Sequence, residues 1–294
     1  MISVRVARPA AAVTVLLMLV PAAACASGPD LPKPFDRKIQ VGFKTAAPGL
    51  SVQAEDGIYR GFEPSLVNAV LGSAGVKYSS APVSATSWED ALKDGDTNRN
   101  GVDLVVADVS VTDGRKSDFD LAGPYLQTPL GALTQAAHPA VVQQQEDLIP
   151  LRVCTVAETT ARSLVDEEVK PKVSVDGKSP QDCLGHLDDG SADVFVSDYL
   201  VLRGMAVNLK SNGQSPYVMT EGTFGKMQLL VAVLPKGHSE ACEWLRVRLD
   251  TYMKSQAWVA GLRSYLGFGS DVSDDNLRQR FQPTTSSASG YCDA

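Results

Sequence analysis

The sequence predicts an α/β protein made of two similar lobes, and three observations support this prediction. Short apolar segments with strand character alternate with amphipathic segments with helical character, which indicates α/β layering. One helix–strand unit occurs twice, about 90 residues apart. A chain of 294 residues is also longer than one average domain, and 44% hydrophobic residues can form more than one core.

The first predicted element is a strand at 39–43, where the residues have an apolar strand pattern. A short strand and then a helix are predicted between residues 57 and 75. Pro64 suits the first turn of this helix because its missing N–H has no helical partner there. Gly72 or Gly75 can end the helix.

The repeated unit spans 86–108 in its first copy and 178–198 in its second. Each copy has a serine before an acidic helix, an Ala-Leu or Cys-Leu pair and a glycine stop. Ser87 and Ser179 are predicted N-caps, because a hydroxyl oxygen can accept a hydrogen bond from a free helix N–H.

Each copy ends in a short strand between two aspartates, Asp103 and Asp108 in the first copy and Asp193 and Asp198 in the second. Such short apolar strands are typical of buried parallel sheets. Ligands of open parallel sheets bind beyond the carboxyl ends of the strands. Asp108 and Asp198 are therefore predicted to face a cleft, and the alternative for each is a turn cap.

The N-terminus has the layout of an export signal, predicted at 1–24. Arginines precede an apolar run over 10–20, which is shorter than the roughly 20 residues of a membrane span. The stretch Ala22–Cys25 resembles the lipobox of bacterial lipoproteins, with Ala where that motif prefers Leu. This resemblance implies a lipidated Cys25 followed by a linker over 25–35, and the alternative is simple cleavage after the alanines.

The other four cysteines allow two disulfides in three connectivities, as expected of an exported chain. The nearest-neighbour pairing, Cys154–Cys183 and Cys242–Cys292, is predicted. The tail 283–294 is poor in apolar residues, and Cys292 would hold it to the fold. No CxxC pair and no Cys/His cluster with zinc spacing occurs in the sequence.

Several function classes are disfavoured by the sequence. The net charge is −7 and no basic patch is present, so nucleic-acid binding is not expected. Asp96, Asn98 and Asn100 have EF-hand-like spacing, but Ala107 stands where the bidentate Glu should be. We therefore expect a polar turn there, and neither a metal nor a cofactor.

An enzyme is also not expected. A hydrolase of the nucleophile-elbow type needs a G-x-S-x-G motif, and the sequence has none. The three histidines are scattered, so no nucleophile–base pair can be assembled.

A possible carboxylate site follows the strand of the first repeat. Ser110, Thr112 and Arg115 combine hydroxyl groups with a guanidinium, whose planar fork of donors can hold two oxygens at once. The alternative is a solvated basic turn.

Five segments over about 39–265 resemble the extracellular solute-binding proteins of polar amino acid ABC transporters, especially actinobacterial glutamate/glutamine-type lipoproteins. The stretch from Asp103 to Tyr125 is the most specific part. The segments are VGFKTAAPGL, DGIYRGFEPSLVNAV, DLVVADVSVTDGRKSDFDLAGPYLQTPLG, RVCTVAETTARSL and CLGHLDDGSADVFVSD.

This resemblance implies the two-lobed periplasmic-binding-protein type II fold, in which each lobe is a mixed sheet flanked by helices. Lobe 1 would comprise 36–130 and 231–282, and lobe 2 would comprise 131–230. The two hinge crossings would fall near 129–134 and 226–231. The Cys154–Cys183 pair would then lie within lobe 2.

The resemblance also implies binding roles. Arg115 matches the arginine that grips the α-carboxylate of the ligand, and Ser110 matches a position that helps to hold the head group. Thr159 and Thr160 match a second-lobe loop with backbone donors to the same carboxylate. Asp198 matches the acid that pairs with the α-ammonium group.

The sequence departs from the family pattern at two places near the predicted site. Asp108 stands where the family usually has Gly or Ala, and Glu63 begins a segment where an Asp-x-Asp pattern is common. Phe43 and Tyr59 are predicted to wall the side-chain pocket, and the alternative for both is core packing.

The implied function is capture of a free polar amino acid, glutamate- or glutamine-like, for delivery to an ABC transporter permease. The protein would be a monomer anchored by lipid to the outer face of the cell membrane. One alternative is an amino acid sensing lipoprotein that does not transport. Another is a catalytic relative of the fold, of the dehydratase or lyase type.

Overall fold

A computed structural model describes Met1 and residues 31–95, 101–210, 214–284 and 291–292. The predicted signal peptide beyond Met1, Cys25 and most of the linker lie outside the described residues. The EF-hand-like residues 96–100 lie outside them as well. Within the described ranges, no helix is long and apolar enough to cross a membrane.

Strands and helices alternate as the sequence predicts. The strands are β1 (Ile39–Lys44), β2 (Ala46–Ala47), β3 (Ser51–Gln53), β4 (Tyr59–Arg60), β5 (Tyr78–Val83), β6 (Leu104–Ser110), β7 (Phe119–Gln135), β8 (Arg152–Val156), β9 (Val173–Gly177), β10 (Val194–Asp198) and β11 (Tyr217–Pro235). The helices are α1 (Phe62–Val67), α2 (Trp88–Gly95), α3 (Asp113–Asp118), α4 (Thr160–Leu164), α5 (Pro180–Asp188), α6 (Tyr199–Asn208), α7 (Ser239–Lys254), α8 (Gln256–Leu266) and α9 (Asp274–Phe281). Single turns of π-helix extend α1 and α4, over Asn68–Gly72 and Val165–Val169, and a 3-10 turn covers Gln145–Leu148.

One mixed sheet of eight strands has the order β5-β1-β6-β11-β7-β10-β8-β9. Its centre is the antiparallel pair of β11 and β7. The strands β5, β1 and β6 are mutually parallel on one side, and β10, β8 and β9 are mutually parallel on the other. The remaining three strands, β2, β3 and β4, form a small antiparallel sheet. The α/β prediction is confirmed, and so are the parallel strands of both repeats.

The long strands β7 and β11 connect the two sides of the sheet. The end of β11 pairs with β6, whereas the end of β7 pairs with β10. Their mutual register shifts between Phe224 and Gln228, opposite Leu130 and Thr128. This irregularity lies next to the predicted crossings, and the assignment of lobe boundaries there stays a prediction.

The two copies of the repeat differ both in how their serines are used and in how they end. Ser179 caps α5, because its hydroxyl accepts a hydrogen bond from the N–H of Asp182 at 3.2 Å. The predicted hydroxyl cap at Ser87 was wrong: its hydroxyl accepts from the N–H of Ser84 at 3.0 Å, and only its carbonyl oxygen accepts from α2, from the N–H of Ala91. The strand β10 ends at Asp198, but β6 continues beyond the second aspartate of its copy to Ser110.

Both predicted cysteine pairs are disulfide-bonded in the structure. Cys154 on β8 joins Cys183 on α5, and Cys242 on α7 joins Cys292 in the tail. Beside the second bond, the N–H of Leu121 in β7 donates to the carbonyl oxygen of Tyr291 at 2.8 Å. Tyr291 and Cys292 are therefore fixed to the fold by a disulfide to α7 and by a backbone hydrogen bond from β7.

Candidate functional site

A cavity of about 160 Å³ lies where the parallel strands end. The last residues of β1, β5, β8 and β10, together with the end of β6, line it. The position agrees with the rule that open parallel sheets bind ligands beyond the carboxyl ends of their strands. Charged and hydroxyl side chains on its wall include Lys44, Asp108, Ser110, Arg115, Thr159 and Asp198.

Arg115 supplies a fixed cation to this wall. It lies in α3, which Thr112 caps by accepting a hydrogen bond from the N–H of Arg115. Its Nη1 donates to the carbonyl oxygen of Ser110 at 2.8 Å, and its guanidinium stacks over Trp88 at 5.2 Å. Burial lowers the pKa of Arg115, and nearby acids, Glu89 first, oppose that effect. Arginine stays charged in proteins, so a partly buried positive fork faces the cavity.

Asp198 supplies a buried acid at the end of β10. Its exposed fraction is 6%, and its Oδ1 has no hydrogen-bond partner among the described residues. Burial raises the pKa of Asp198 well above the ordinary value, and the charge of Asp108 raises it further. Lys44 and Arg115 act in the opposite direction. The cavity therefore contains an acid that lacks a full complement of donors.

Asp108 is held in an uncommon backbone conformation inside β6. Its φ is 55°, in the left-handed region that non-glycine residues seldom adopt. Its N–H donates to Oε1 of Glu63 at 2.7 Å, and its Oδ2 accepts from Nζ of Lys44 at 3.0 Å. Its Oδ1 is buried and has no partner in the described structure. These contacts turn the Asp108 side chain toward the cavity, as the sequence predicted.

Glu63 supports Asp108 from behind. Its side chain is fully buried in α1, and Oε1 also accepts from the hydroxyl of Tyr125 at 2.6 Å. Burial raises the pKa of Glu63 to about 7, with a further rise from Asp108. The hydrogen bond from Tyr125, the charge of Lys44 and the N–H of Asp108 act against this rise. The two departures from the family pattern are thus one connected feature.

Lys44 and Glu63 were not assigned roles from the sequence. Lys44 is the last residue of β1, and a charged residue directly after an apolar strand was a usable signal for it. Glu63 was noted only as a departure from the family pattern, because its contact with Asp108 depends on how α1 packs against β6.

The predicted hydroxyl positions reach the cavity, but their groups are partly used by the fold. Thr159 caps α4: its hydroxyl donates to the carbonyl oxygen of Val156 at 2.7 Å and accepts from the N–H of Arg162. Thr160 is the first residue of that helix and also lines the cavity. Across the cavity, Nε2 of Gln181 donates to the carbonyl oxygen of Ala46 at 3.2 Å.

Phe43 and Tyr59 do not line this cavity. Both are buried in the core, and their ring centroids lie 5.5 Å apart. Successive side chains of a strand point to opposite faces, so Phe43 enters the core while Lys44 reaches the cavity. The prediction that Phe43 and Tyr59 wall the side-chain pocket was therefore wrong, and both side chains pack in the core.

A metal site does not form among the residues that the structure describes, where no group of three or more His, Cys, Asp or Glu side chains could hold an ion.

The chain belongs to the bacterial extracellular solute-binding proteins, family 3. The model of this family matches residues 39–268, which include the whole wall of the cavity described above. By this description, its members are proteins that bind solutes.

Two named relatives of the chain have low sequence identity to it. The chain is 25% identical over 235 residues to the L-cystine-binding protein TcyJ of Escherichia coli K12, covering 79% of this chain and 83% of the relative. It is 22% identical over 245 residues to the glutamate-binding protein GluB of Corynebacterium efficiens, covering 80% of each.

Among solved structures, the solute receptor for L-cysteine of Neisseria gonorrhoeae superimposes with a TM-score of 0.69 at 18% identity. The match covers 81% of this chain and 94% of the receptor. This likeness shows the fold, and the predicted two-lobed periplasmic-binding-protein type II fold is confirmed.

Proposed function

We propose that this protein captures a free polar amino acid, as its zwitterion, in the cavity and delivers it to an ABC importer. One observation carries the proposal: a guanidinium and a buried carboxyl group with an unused oxygen lie on one cavity wall. Arg115 and Asp198 come from different elements, α3 and β10. A desolvated pair of opposite charges matches the carboxylate and ammonium groups of an amino acid and rejects solutes that lack either.

The anchoring of Arg115 supports its role as the carboxylate partner. One of the five N–H donors of the guanidinium is used by the Ser110 carbonyl, and the ring of Trp88 fixes the plane. A guanidinium held in this way can offer two parallel donors to a carboxylate with little further loss of side-chain entropy.

Polar groups elsewhere on the wall support a ligand with a polar side chain. Lys44, Ser84 and Gln181 all line the cavity. The names of the relatives agree with the class, because one binds L-cystine and another binds glutamate. A glutamate- or glutamine-like ligand remains our preferred choice.

The export signal and the lipobox-like Cys25 support a place for the protein at the outer face of the membrane. A binding protein tethered there would act as a monomer and hand its ligand to a permease. The family of extracellular solute-binding proteins to which the chain belongs agrees with this role.

Isothermal titration calorimetry of the purified protein against the common L-amino acids and L-cystine tests the proposal. We expect saturable binding of at least one polar amino acid. In Arg115→Ala the affinity should fall by more than 2 kcal/mol, about 30-fold, because a buried carboxylate loses its charged partner.

The matched control is Arg246→Ala, which removes an arginine paired with Glu243 on α7 and should leave the affinity as it is. Absence of binding across the whole panel would contradict the proposed function. Unchanged affinity in Arg115→Ala would instead show that another group holds the carboxylate.

A further inference from the structure

Five buried or half-buried ionisable side chains converge at and behind the cavity wall, each from a different element; the exposed Glu158 and Lys178 also line the cavity, and Glu89 lies 3.9 Å from Arg115. The five are Lys44 of β1, Glu63 of α1, Asp108 of β6, Arg115 of α3 and Asp198 of β10. Three are acids and two are bases, and all are buried or nearly so. Because burial penalises uncompensated charge, these acids are not all ionised together.

We propose that Asp198 holds a proton in the free protein and releases it to solvent when the ammonium group of the ligand binds. The inference rests on the proposed function, since it assumes an amino acid ligand. The ammonium group keeps its own three protons, and the Asp198 carboxyl loses its proton to water or buffer.

The contacts indicate which acid carries the proton. Asp108 is paired with Lys44 at 3.0 Å and is the acid best compensated by a cation. Asp198 is 6% exposed, and among the described residues its Oδ1 has no hydrogen-bond partner and its carboxyl group forms no ion pair, so burial of its charge has no comparable compensation. Burial and the charge of Asp108 raise the pKa of Asp198, against the weaker opposing effects of Lys44 and Arg115.

Glu63 is the other candidate for a proton and is expected to keep it. Its Oε1 accepts from the N–H of Asp108 and from the hydroxyl of Tyr125, and it lies behind the wall rather than on it. With a pKa of about 7, Glu63 is mostly neutral at pH 6 both before and after ligand binding.

The ammonium group of the ligand supplies the cation that favours release of the proton. Lys44 is paired with Asp108 at 3.0 Å, and Arg115 has Glu89 at 3.9 Å. A bound ammonium group next to Asp198 favours the ionised carboxylate, because a carboxylate accepts a charge-assisted hydrogen bond and a carboxylic acid does not.

Asp108 therefore controls the proton of Asp198, because its charge raises the pKa of that carboxyl group. With Asn at position 108, Asp198 would face Lys44 and Arg115 without a competing acid and would be ionised already. The variant Asp108→Asn should then bind without releasing a proton.

The test is calorimetry at pH 6 in phosphate and in imidazole, two buffers with different ionisation enthalpies. L-Glutamine is the probe because its side chain does not titrate; if the panel favours another amino acid with a non-titrating side chain, that one replaces it. We expect close to one proton released per ligand for the native protein and close to none for Asp108→Asn. Below the pKa of Asp198, the affinity should rise about tenfold per pH unit.

The control Asp250→Asn removes an acid paired with Lys254 on α7 and should release the same number of protons as the native protein. Binding without proton release in the native protein would overturn the proposal. So would release that persists in Asp108→Asn and disappears in Glu63→Gln, because the proton would then come from Glu63.

A second measurement does not depend on a ligand. Carbon-13 NMR titration of the Asp198 carboxyl in the free protein should give a raised pKa that falls in Asp108→Asn. An ordinary pKa for Asp198 would overturn the proton inference, whereas failure of every amino acid to bind would contradict the proposed function.

Discussion

The two copies of the helix–strand unit use their first aspartates in the same way and their second aspartates differently. Asp103 accepts on Oδ2 from the N–H of Gln40, at 2.7 Å, and on both oxygens from Arg37. Asp193 accepts on Oδ2 from the N–H of Arg152, also at 2.7 Å, and on both oxygens from the Arg152 side chain. Each carboxylate fixes the start of its own strand to the start of the neighbouring parallel strand.

The second aspartates both line the cavity, but their backbone conformations and their positions in the strand differ. Asp198 ends β10 and precedes α6, whereas Asp108 lies inside β6 with a φ of 55°. Glu63 and Lys44 hold Asp108 in place, and no such support is needed for a residue that ends its strand. The first aspartate of each copy therefore holds neighbouring strands together, whereas the second aspartate of each copy lines the cavity.

The helices of the two copies also differ in how they are fastened to the sheet. In the second copy, Cys183 of α5 is bonded to Cys154 of β8, and the matching position in the first copy is Ala91. Removing this bond in Cys154→Ala/Cys183→Ala should lower the free energy of unfolding by about 3–4 kcal/mol, because the unfolded chain regains the entropy of an open loop. Urea denaturation measures the loss.

The double variant Cys242→Ala/Cys292→Ala is the control for this experiment. It opens a longer loop, with 50 residues of separation against 29, and should cost at least as much. A loss below about 1 kcal/mol for the first pair would show that the second copy does not depend on its bond.

Glu63, which accepts a hydrogen bond from Asp108 of the first copy, should make the free energy of unfolding depend on pH. The pKa of Glu63 is raised to about 7 from an unfolded value near 4.5. The stability that Glu63 contributes is therefore fully present below pH 4.5 and is lost as the pH rises through 7, by about 3 kcal/mol in all.

Glu63→Gln keeps the acceptor oxygen and removes the titration. We expect its free energy of unfolding to change less between pH 4.5 and 8 than that of the native protein. Parallel pH profiles for the two proteins would mean that Glu63 is ionised throughout.

The shared role of the first aspartates predicts the smallest effects. Asp103→Asn and Asp193→Asn should each cost about 1–2 kcal/mol, because each replaces a charge-assisted hydrogen bond. Asp103 should cost more, since its side chain is 8% exposed against 29% for Asp193. Thermal unfolding of both variants measures the difference, and a larger loss for Asp193→Asn would contradict the argument from burial.

Much of the fold followed from local patterns in the sequence. Apolar runs between aspartates predicted β6 and β10, and the serine before an acidic segment predicted the cap of α5. The continuation of β6 through Asp108 was not predicted, because it depends on a hydrogen bond to Glu63, 45 residues earlier in the chain.

The candidate site could be predicted from the sequence where the position of a residue follows from the end of one strand. Asp108, Ser110, Arg115 and Asp198 all lie on the wall of the cavity, together with Thr159 and Thr160. The predicted pocket role of Phe43 was wrong, because aromatic character does not show which face of a strand a side chain lies on. Its neighbour Lys44 lies on the opposite face and lines the cavity.

The position of Tyr291 and Cys292 beside β7 has a consequence for how copies of this protein meet one another. The N–H of Leu121 points away from β11 and donates to Tyr291, while β10 pairs with β7 only farther along, at Leu130–Leu133. An uncovered backbone edge in a sheet is a template for pairing with another chain. By fixing Tyr291 over that edge, the Cys242–Cys292 bond keeps this part of β7 from pairing with a strand of another copy.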